Sequence, residues 1–240
     1  MAETTKNPET KRVAVVTGAN KGIGFEISKQ LASNGVKVIL TARDVKRGTE
    51  AVETLKAAGY SDFSFHQLDV SDPVSIFAFV NFIKTEFGKL DILVNNATVN
   101  GLTTVGTVDP KDLEFGPDDN AKKKLGDVDG LTEEKVNEVV EEFLEDVKEN
   151  MIEDKGWPSN NFSAYSVSKT VLNAYTRVLA KKYPTVAINA VSPGFTKTDL
   201  NYNAGVLTTE EAAKGPVMLA LMRNSKPFGL FFDNTEVSTF

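Results

Sequence analysis

A short apolar run, three spaced glycines and a helical pattern follow one another between Arg12 and Leu31. Val13–Val16 is apolar without alternation, which is typical of a strand buried on both faces. Glycine permits left-handed backbone angles and close approach of a ligand, and the free N–H groups at a helix start favour an anion. The segment therefore predicts a strand, a tight turn and a phosphate-binding helix start, with the glycines at Gly18, Gly22 and Gly24.

The glycine spacing alone is a weak signal. It reads Gly-x-x-x-Gly-x-Gly, which differs from the commoner Gly-x-Gly-x-x-Gly of dinucleotide sites, and no Gly-Lys-Ser/Thr of a P-loop follows. A turn that only joins a strand to a helix therefore stays open as the alternative. Asn20 and Ile23 lie within the same turn and are candidate cofactor contacts.

Length and composition restrict the class of protein. With 240 residues and 41% hydrophobic content, a single α/β domain spanning 1–240 is expected. A net charge of −6 gives no footprint for nucleic acid or an anionic membrane. The chain has 0 cysteines, which excludes disulfides, zinc–thiolate sites and cysteine nucleophiles. The polar N-terminus is unlike a secretory signal and no apolar run is long enough to span a bilayer, so a cytoplasmic location is expected.

A second buried strand is predicted at 36–41, and Arg43 follows it. In dinucleotide folds an acidic residue at this strand end holds the ribose 2′-hydroxyl, whereas an arginine accepts a 2′-phosphate. Together with Lys21 in the glycine turn, Arg43 favours NADP over NAD. Two solvated surface charges are the alternative interpretation.

A third strand is predicted at 63–68, leading into Asp69 and Val70. The Asp69 carboxylate either accepts a hydrogen bond from an adenine amino group or caps the following turn. His66 is the only histidine and lies inside this strand, which indicates a structural role; no metal site is predicted. Asp72 and Pro73 start a helix, with an apolar stripe of Ile76, Phe79, Val80, Ile83 and Phe87.

A fourth strand at 90–94 ends in Asn95-Asn96-Ala97, and from here the chain resembles a known family. TGANKGIG, LDVSD, NNA, the later Tyr165-Ser-Val-Ser-Lys169 and SPGFTKT at 192–198 occur in the order found in short-chain dehydrogenases/reductases. The surrounding sequence is similar to the plant monomeric carbonyl reductases within that family.

The resemblance implies a Rossmann-type α/β fold, with a doubly wound parallel sheet in three α/β/α layers. It implies NADP(H) as cofactor, Tyr165 as proton donor, and Lys169 as the group that lowers the pKa of Tyr165 and holds the nicotinamide ribose. Asn95 orients or relays through the cofactor region. The implied cofactor-binding residues are Gly18, Asn20, Lys21, Gly22, Ile23, Gly24, Arg43, Asp69, Val70, Asn95, Ala97, Tyr165, Lys169, Pro193, Gly194 and Thr198.

The interval 98–130 departs from the family pattern. Relatives carry there a long helix and a fifth strand that ends in the serine contacting the substrate carbonyl. Neither is legible here, and the polar, turn-rich sequence predicts a loop. The run at 102–108, with Thr103, Thr104 and Thr107, is a candidate substitute for that strand. The fold prediction therefore leaves open whether one central strand is missing.

The remaining sequence returns to the family pattern. A helix that begins at about residue 133 carries an apolar stripe. The resemblance also implies that the divergent insert at about 98–160 covers the surface that other family members use to oligomerise. The chain is therefore expected to be a monomer. Trp157 is expected to be a packing anchor. Further elements are a helix at 163–183, a strand at 186–191, a helix started by Thr208 and Glu211 and interrupted near Pro216, and a closing strand at 229–232.

The sequence therefore predicts an NADPH-dependent oxidoreductase that reduces a ketone of a hydrophobic small molecule of terpenoid or alkaloid type. Two alternatives follow from the divergent interval. One is a catalytically impaired NADP(H)-binding variant without turnover, and the other is a chain that has lost cofactor binding altogether.

Overall fold

The structure is a computed structural model that describes residues 11–99, 119–127, 129–157, 163–222 and 228–238. It separates into two compact units, one formed by Met1–Thr98 with Thr208–Leu221, the other by Val99–Leu207 with Met222–Phe240. The single domain expected from the sequence stays a prediction. In chain order the elements are β1 Val13–Val16, α1 Gly22–Ser33, β2 Lys37–Ala42, α2 Val45–Ala57, β3 Phe63–Gln67, α3 Pro73–Glu86, β4 Ile92–Val94, α4 Asp119–Gly126, α5 Glu133–Lys148, α6 Ser163–Lys182, β5 Ala190–Ser192, α7 Thr209–Leu221, β6 Phe231–Asp233 and β7 Glu236–Ser238.

The first unit contains a parallel sheet in the order β3-β2-β1-β4. Every residue of β1 is buried, as expected of an apolar central strand. Because all four strands run in the same direction, their carboxyl ends meet at one edge of the sheet. The segments that follow them begin at Thr17, Arg43, Leu68 and Asn95.

Three helices pack on one face of this sheet, and α3 packs on the other. One face packs against α1, α2 and α7 through residues such as Ile27, Leu55 and Val217. The other face packs against α3, whose Phe79 and Ile83 are buried over Val13, Val15 and Ile39. Asp72 accepts a hydrogen bond of 2.9 Å from the backbone N–H of Val74, which confirms the predicted start of α3.

The second unit has a helical core and a small sheet. α4, α5 and α6 share a core that includes Val139 of α5, Val167 of α6 and Trp157. The Trp157 ring lies edge-to-face with Phe143, at 5.1 Å between centroids, and its indole N–H donates to Asp146 at 2.8 Å. The predicted role of Trp157 as a packing anchor is confirmed. β5 pairs with β6 in parallel, and β6 pairs with β7 antiparallel.

Several elements differ from the sequence-based expectation. α4 forms where a loop was predicted, because Ala121 and Leu125 lie one turn apart and pack into the helical core. α7 continues through Pro216 without interruption, and burial of its Ala213 and Val217 in the core stabilises it there. β5 begins at Ala190, later than predicted. The strand candidate at 102–108, with Thr103, Thr104 and Thr107, lies outside the described residues.

β4 is an edge strand of its sheet. It pairs with β1, and among the described residues no strand pairs along its other side. The predicted stripe of α3 is only partly buried, since Ile76 and Val80 are each 40% exposed. Whether a central strand is missing stays a prediction, because residues 100–118, which follow β4, lie outside the described ranges. Within the described ranges, no helix combines the length and apolarity that crossing a membrane requires.

Candidate cofactor and active site

The turn between β1 and α1 has the conformation that its glycines predict. Gly18 has φ +61° and Gly22 has φ +62°, in the left-handed region that favours glycine. A Cβ atom on Gly18 would lie 2.8 Å from the Cα of Ala97. This position therefore requires glycine both for its backbone angles and for the close approach of the segment after β4.

The start of α1 is open in a way that suits an anion. Lys21, at the N-cap, makes no side-chain capping bond, and the first turn holds no acidic residue. By contrast Asp44, Asp72 and Thr132 each cap their helix with a side-chain oxygen. The first N–H groups of α1 are thus not capped by the side chain of its N-cap residue, which suits the binding of a phosphate. The residues present fit a nucleotide phosphate.

A residue absent from the sequence-based candidates, Asn96, joins the two segments of this site. Its side-chain Nδ2 donates to the carbonyl oxygens of Thr17 at 2.9 Å and Gly18 at 3.2 Å. The hydroxyl of Thr17 accepts from the backbone N–H groups of Asn96 and Ala97, both at 2.9 Å. Neighbouring Asn95 is exposed. The available signal was that β1 and β4 are adjacent parallel strands, so their end segments must meet.

Arg43 and Asp69 lie at the ends of adjacent strands on the same edge. Ser71 donates to the Asp69 carboxylate through its hydroxyl at 2.6 Å and its backbone N–H at 2.9 Å. These bonds lower the pKa of Asp69, with a smaller contribution from the charge of Arg43. Of the two roles considered for Asp69, the structure contains the turn cap. Arg43 and Val70 are exposed beside it.

Tyr165 and Lys169 lie one turn apart on α6, as the four-residue spacing predicts. The Lys169 Nζ atom is 5.4 Å from the centroid of the Tyr165 ring, within the range of a cation–π contact. Burial raises the pKa of Tyr165 and lowers the pKa of Lys169. The activation of Tyr165 by Lys169 that the family resemblance implies stays a prediction.

The segment after β5 forms a closed loop that carries Pro193, Gly194 and Thr198. Gly194 has φ +76°, and a Cβ atom there would lie 2.6 Å from Leu207 Cδ1. The Lys197 N–H donates to the Leu207 carbonyl at 2.8 Å, which joins the two ends of the loop. Thr198 caps a 3₁₀ turn at Asp199–Asn201. These bonds hold the candidate residues at fixed positions on the loop.

The side chain of His66 packs against aromatic rings. The His66 ring lies 4.3 Å from Phe82 and 5.1 Å from Phe79, between ring centroids, which confirms a packing role. Among the described residues, no three His, Cys, Asp or Glu side chains lie together as metal ligands would. The Ser166 hydroxyl on α6 is buried and has no hydrogen-bond partner within the described part of the chain.

The arrangement divides into two sets of groups. In the first unit the glycine turn, the α1 start, Arg43 and Asp69 share the carboxyl edge of a parallel sheet, a surface suited to a dinucleotide. In the second unit a phenol and an ammonium share one helix face. The first unit thus holds a candidate phosphate site, and the second holds a candidate proton donor with a neighbouring cation.

Comparison with known proteins matches this chain to dehydrogenases and reductases. The family model described as short chain dehydrogenase matches residues 12–115, and the one described as enoyl-(acyl carrier protein) reductase matches 149–229. The chain is 43% identical to short-chain dehydrogenase/reductase 1 of Saponaria officinalis, over 100% of both chains. It is 41% identical to salutaridine reductase of Papaver somniferum, again over 100% of both. The solved structure of that reductase matches with a TM-score of 0.85 and 40% identity, covering 93% of this chain and 100% of the other.

The alignment with salutaridine reductase also shows how many positions of that relative this chain lacks. The alignment with salutaridine reductase runs over 312 positions, while this chain has 240 residues, so about 72 positions of the relative have no counterpart here. The two family models leave 116–148 unmatched between them, the interval that contains α4 and α5. With its parallel sheet, glycine turn and Tyr-x-x-x-Lys helix, and with full-length relatives above 40% identity, the chain belongs to the short-chain dehydrogenase/reductase family of oxidoreductases.

Proposed function

We propose that the chain is an NADPH-dependent reductase acting on a ketone of a hydrophobic small molecule. The observation that carries the proposal is the pair Tyr165 and Lys169 on one face of α6. The names of relatives support the substrate class, since they include salutaridine reductase and (+)-neomenthol dehydrogenase of Arabidopsis thaliana. Both names refer to small organic molecules of the alkaloid and terpenoid type.

In this proposal the chain binds the cofactor and supplies one proton. The α1 start and Lys21 hold phosphate groups, and Asn96 keeps the glycine turn in place. When bound, NADPH supplies a hydride to the carbonyl carbon. The Tyr165 hydroxyl donates its proton to the carbonyl oxygen, because a phenol is protonated at neutral pH and can act as a general acid. Lys169 holds positive charge beside the phenol and the ribose.

Cofactor choice rests on Arg43. Its guanidinium is exposed at the end of β2, where a 2′-phosphate lies in folds of this type. A charge-assisted contact contributes about 1.5–3 kcal/mol, or about 10- to 100-fold in affinity. Arg43→Ala should weaken NADPH by that factor and leave NADH nearly unchanged, measured by fluorescence titration. Lys46→Ala, which removes an exposed cation nearby on α2, is the matched control.

The experiment for the reaction compares Tyr165→Phe with Tyr175→Phe, which changes another tyrosine on α6. Tyr165→Phe should abolish NADPH oxidation with ketones such as menthone while it leaves NADPH affinity within about twofold, because only the proton donor is lost. Tyr175→Phe should retain turnover. Equal activity of the wild type and Tyr165→Phe would contradict the assignment.

A second candidate function is NADP(H) binding without turnover. The open edge of β4 and the roughly 72 absent positions favour it, because the family serine that contacts the substrate carbonyl belongs to the strand expected at that edge. This candidate predicts that NADPH binds and that no ketone is reduced by the purified chain. The expected cytoplasmic location and monomeric state stay predictions.

A further inference from the structure

Two hydrogen-bond donors bind the same oxygen of the Asp69 carboxylate. The Ser71 hydroxyl donates to Oδ1 at 2.6 Å, and the Ser71 N–H donates to Oδ1 at 2.9 Å. Within the described part of the chain, Oδ2 accepts no hydrogen bond. An ionised carboxylate can accept hydrogen bonds on both oxygens. Ser71 therefore leaves one oxygen of Asp69 with its full capacity to accept a donor from a ligand.

The backbone of Asp69 is fixed independently of the Ser71 hydroxyl. The Asp69 N–H donates to the Ser75 hydroxyl at 2.9 Å, and the Asp69 carbonyl accepts from the Asp72 N–H at 3.2 Å. The Ser75 hydroxyl in turn donates to Gln67 Oε1 at 3.3 Å. Rotation of the side chain about its own bonds is the freedom left to Asp69, and the two bonds from Ser71 restrict that rotation. Ser71 accordingly sets where Oδ2 lies.

The place of Asp69 on the sheet edge indicates which donor Oδ2 would meet. The Leu68 N–H donates to the Ala42 carbonyl at 3.0 Å, so Asp69 and Arg43 follow neighbouring residues on adjacent strands. The charge of Arg43 acts on the Asp69 carboxylate, and Arg43 is the proposed partner of the 2′-phosphate of NADPH. The ribose that carries this phosphate carries the adenine on the next carbon atom. A cofactor held at Arg43 therefore brings its base close to Asp69.

The base of the cofactor offers a donor that matches Oδ2. The exocyclic amino group of adenine donates hydrogen bonds, and an ionised carboxylate oxygen only accepts them. A hypoxanthine base carries an oxygen in place of that amino group, so two acceptors would face each other. The available oxygen of Asp69 is therefore suited to adenine and unsuited to a 6-oxopurine.

We propose that Ser71 is a positioning residue that makes Asp69 select an adenine base over a 6-oxopurine. It occupies Oδ1 with two donors and so presents Oδ2 to the exocyclic amino group. This role rests on the proposed function, in which the chain binds NADPH. The two roles considered for Asp69, turn cap and adenine acceptor, are then compatible, because each uses one oxygen.

Calorimetric titration with NADP⁺ and with nicotinamide hypoxanthine dinucleotide phosphate tests the selection of the base. The second compound differs only in its base, where an oxygen replaces the amino group. The wild type should bind NADP⁺ at least about tenfold more tightly, the usual contribution of a hydrogen bond to a charged group. Equal affinities for the two compounds overturn the proposal.

The same titration separates this proposal from the proposed function. Equal binding of both compounds leaves NADP⁺ binding, and with it the proposed reductase, in place. Selective binding of NADP⁺ without reduction of any ketone contradicts the proposed reductase alone. A chain that binds neither compound contradicts both.

Ser71→Ala and Ser71→Thr separate positioning from general stability. Ser71→Ala removes the hydroxyl donor, so the preference for NADP⁺ should fall at least about threefold, whereas Ser71→Thr keeps a hydroxyl and should retain the preference. A purely stabilising residue would change both affinities equally, so an unchanged ratio in Ser71→Ala overturns the proposal, as does loss of the preference in both variants. Ser33→Ala is the matched control, because Ser33 donates to the Lys29 carbonyl at 2.9 Å at the far end of α1.

Asp69→Asn tests which oxygen meets the base. The two donors of Ser71 bind the amide oxygen, so the amide NH2 group takes the place of Oδ2. This group donates to the oxygen of hypoxanthine, whereas it would face the amino group of adenine as a second donor. Asp69→Asn should therefore reverse the preference and bind the hypoxanthine compound more tightly than NADP⁺. A variant that still prefers NADP⁺, or that shows no preference, overturns the proposal.

Discussion

At the scale of single residues, burial rather than neighbouring charge determines the ionisation of Tyr165 and Lys169. Desolvation disfavours the charged form of each group, which raises the pKa of Tyr165 and lowers that of Lys169. For Tyr165 the folded-state pKa lies above the unfolded value. The resulting stabilisation is complete at neutral pH and below, and it is lost as the pH rises through the folded-state pKa.

Alkaline titration tests the direction of this shift. Tyrosinate absorption of the wild type minus that of Tyr165→Phe, recorded without cofactor, should rise with a midpoint above the ordinary tyrosine pKa of about 10. Burial predicts that direction because it penalises the phenolate. A difference curve with a midpoint below 10 would instead support activation by Lys169. Tyr175→Phe, on the same helix, is the control.

Gly18 and Gly35 form a matched pair for testing the glycine turn. Both have positive φ, +61° and +75°, but a Cβ atom would meet Ala97 at Gly18 and nothing within 4 Å at Gly35. Each alanine variant bears the left-handed penalty of about 1–2 kcal/mol.

Only Gly18→Ala should also displace the segment after β4 and weaken NADPH binding at least tenfold. Fluorescence titration measures the affinity, and thermal melts measure the shared stability cost. Similar NADPH affinity in the two variants would contradict a role for this close approach.

At the scale of elements, the divergent part of the chain still builds an ordered helical core. α5 contributes Val136, Val139 and Phe143 to a core shared with α6, while Leu144 beside them is 49% exposed. Thr132 caps the helix through the Lys135 N–H. The apolar stripe expected from the sequence is therefore present. Only its residues in the core shared with α6 and Trp157 are buried.

Phe143→Ala should destabilise the second unit by about 3–5 kcal/mol, the usual cost of removing a buried phenylalanine. Leu144→Ala, one residue along, should cost less than about 1 kcal/mol because that side chain is half exposed. Trp157 is the only tryptophan and contacts Phe143, so its fluorescence during urea unfolding reports this unit directly. Equal midpoints for the two variants would argue against the described packing.

At the scale of the whole molecule, this chain differs from its relatives in length. The relative's alignment leaves about 72 positions unfilled, and β4 has an open edge among the described residues. The resemblance to the family predicts, after β4, a strand and a serine that contacts the substrate carbonyl, and residues 100–118 at that place lie outside the described ranges. Loss of one such donor typically costs about 10²–10³ in rate.

A graft tests this loss. Replacing residues 98–130 with the corresponding interval of salutaridine reductase should raise ketone turnover by at least about 10²-fold, because the serine and its strand return together. The same graft with its serine replaced by alanine should lose that gain while it keeps the restored fold. A graft without any gain would show that another feature limits turnover.

Local signals in the sequence predicted the parts of this protein that depend on neighbours along the chain. Val13–Val16 forms the buried strand, Gly18 takes its left-handed angle, and Tyr165 and Lys169 share a helix face. The capping box of α7 is present as well: the Thr208 N–H donates to the Glu211 carboxylate at 2.9 Å, and the Glu211 N–H donates to the Thr208 hydroxyl at 3.2 Å. Each depends on helical or strand periodicity, turn geometry or capping, which act over a few residues.

Tertiary structure decided the features that depend on residues distant along the chain. Asn96 holds the glycine turn because β1 and β4 lie side by side, and Asp69 is engaged by Ser71 in the folded turn. Burial of the Tyr165 side chain raises its pKa. Ile76 and Val80 of α3 are each 40% exposed although the sequence pattern placed them on a buried stripe. Packing and desolvation arise only once separated segments meet, so periodicity and spacing do not encode them.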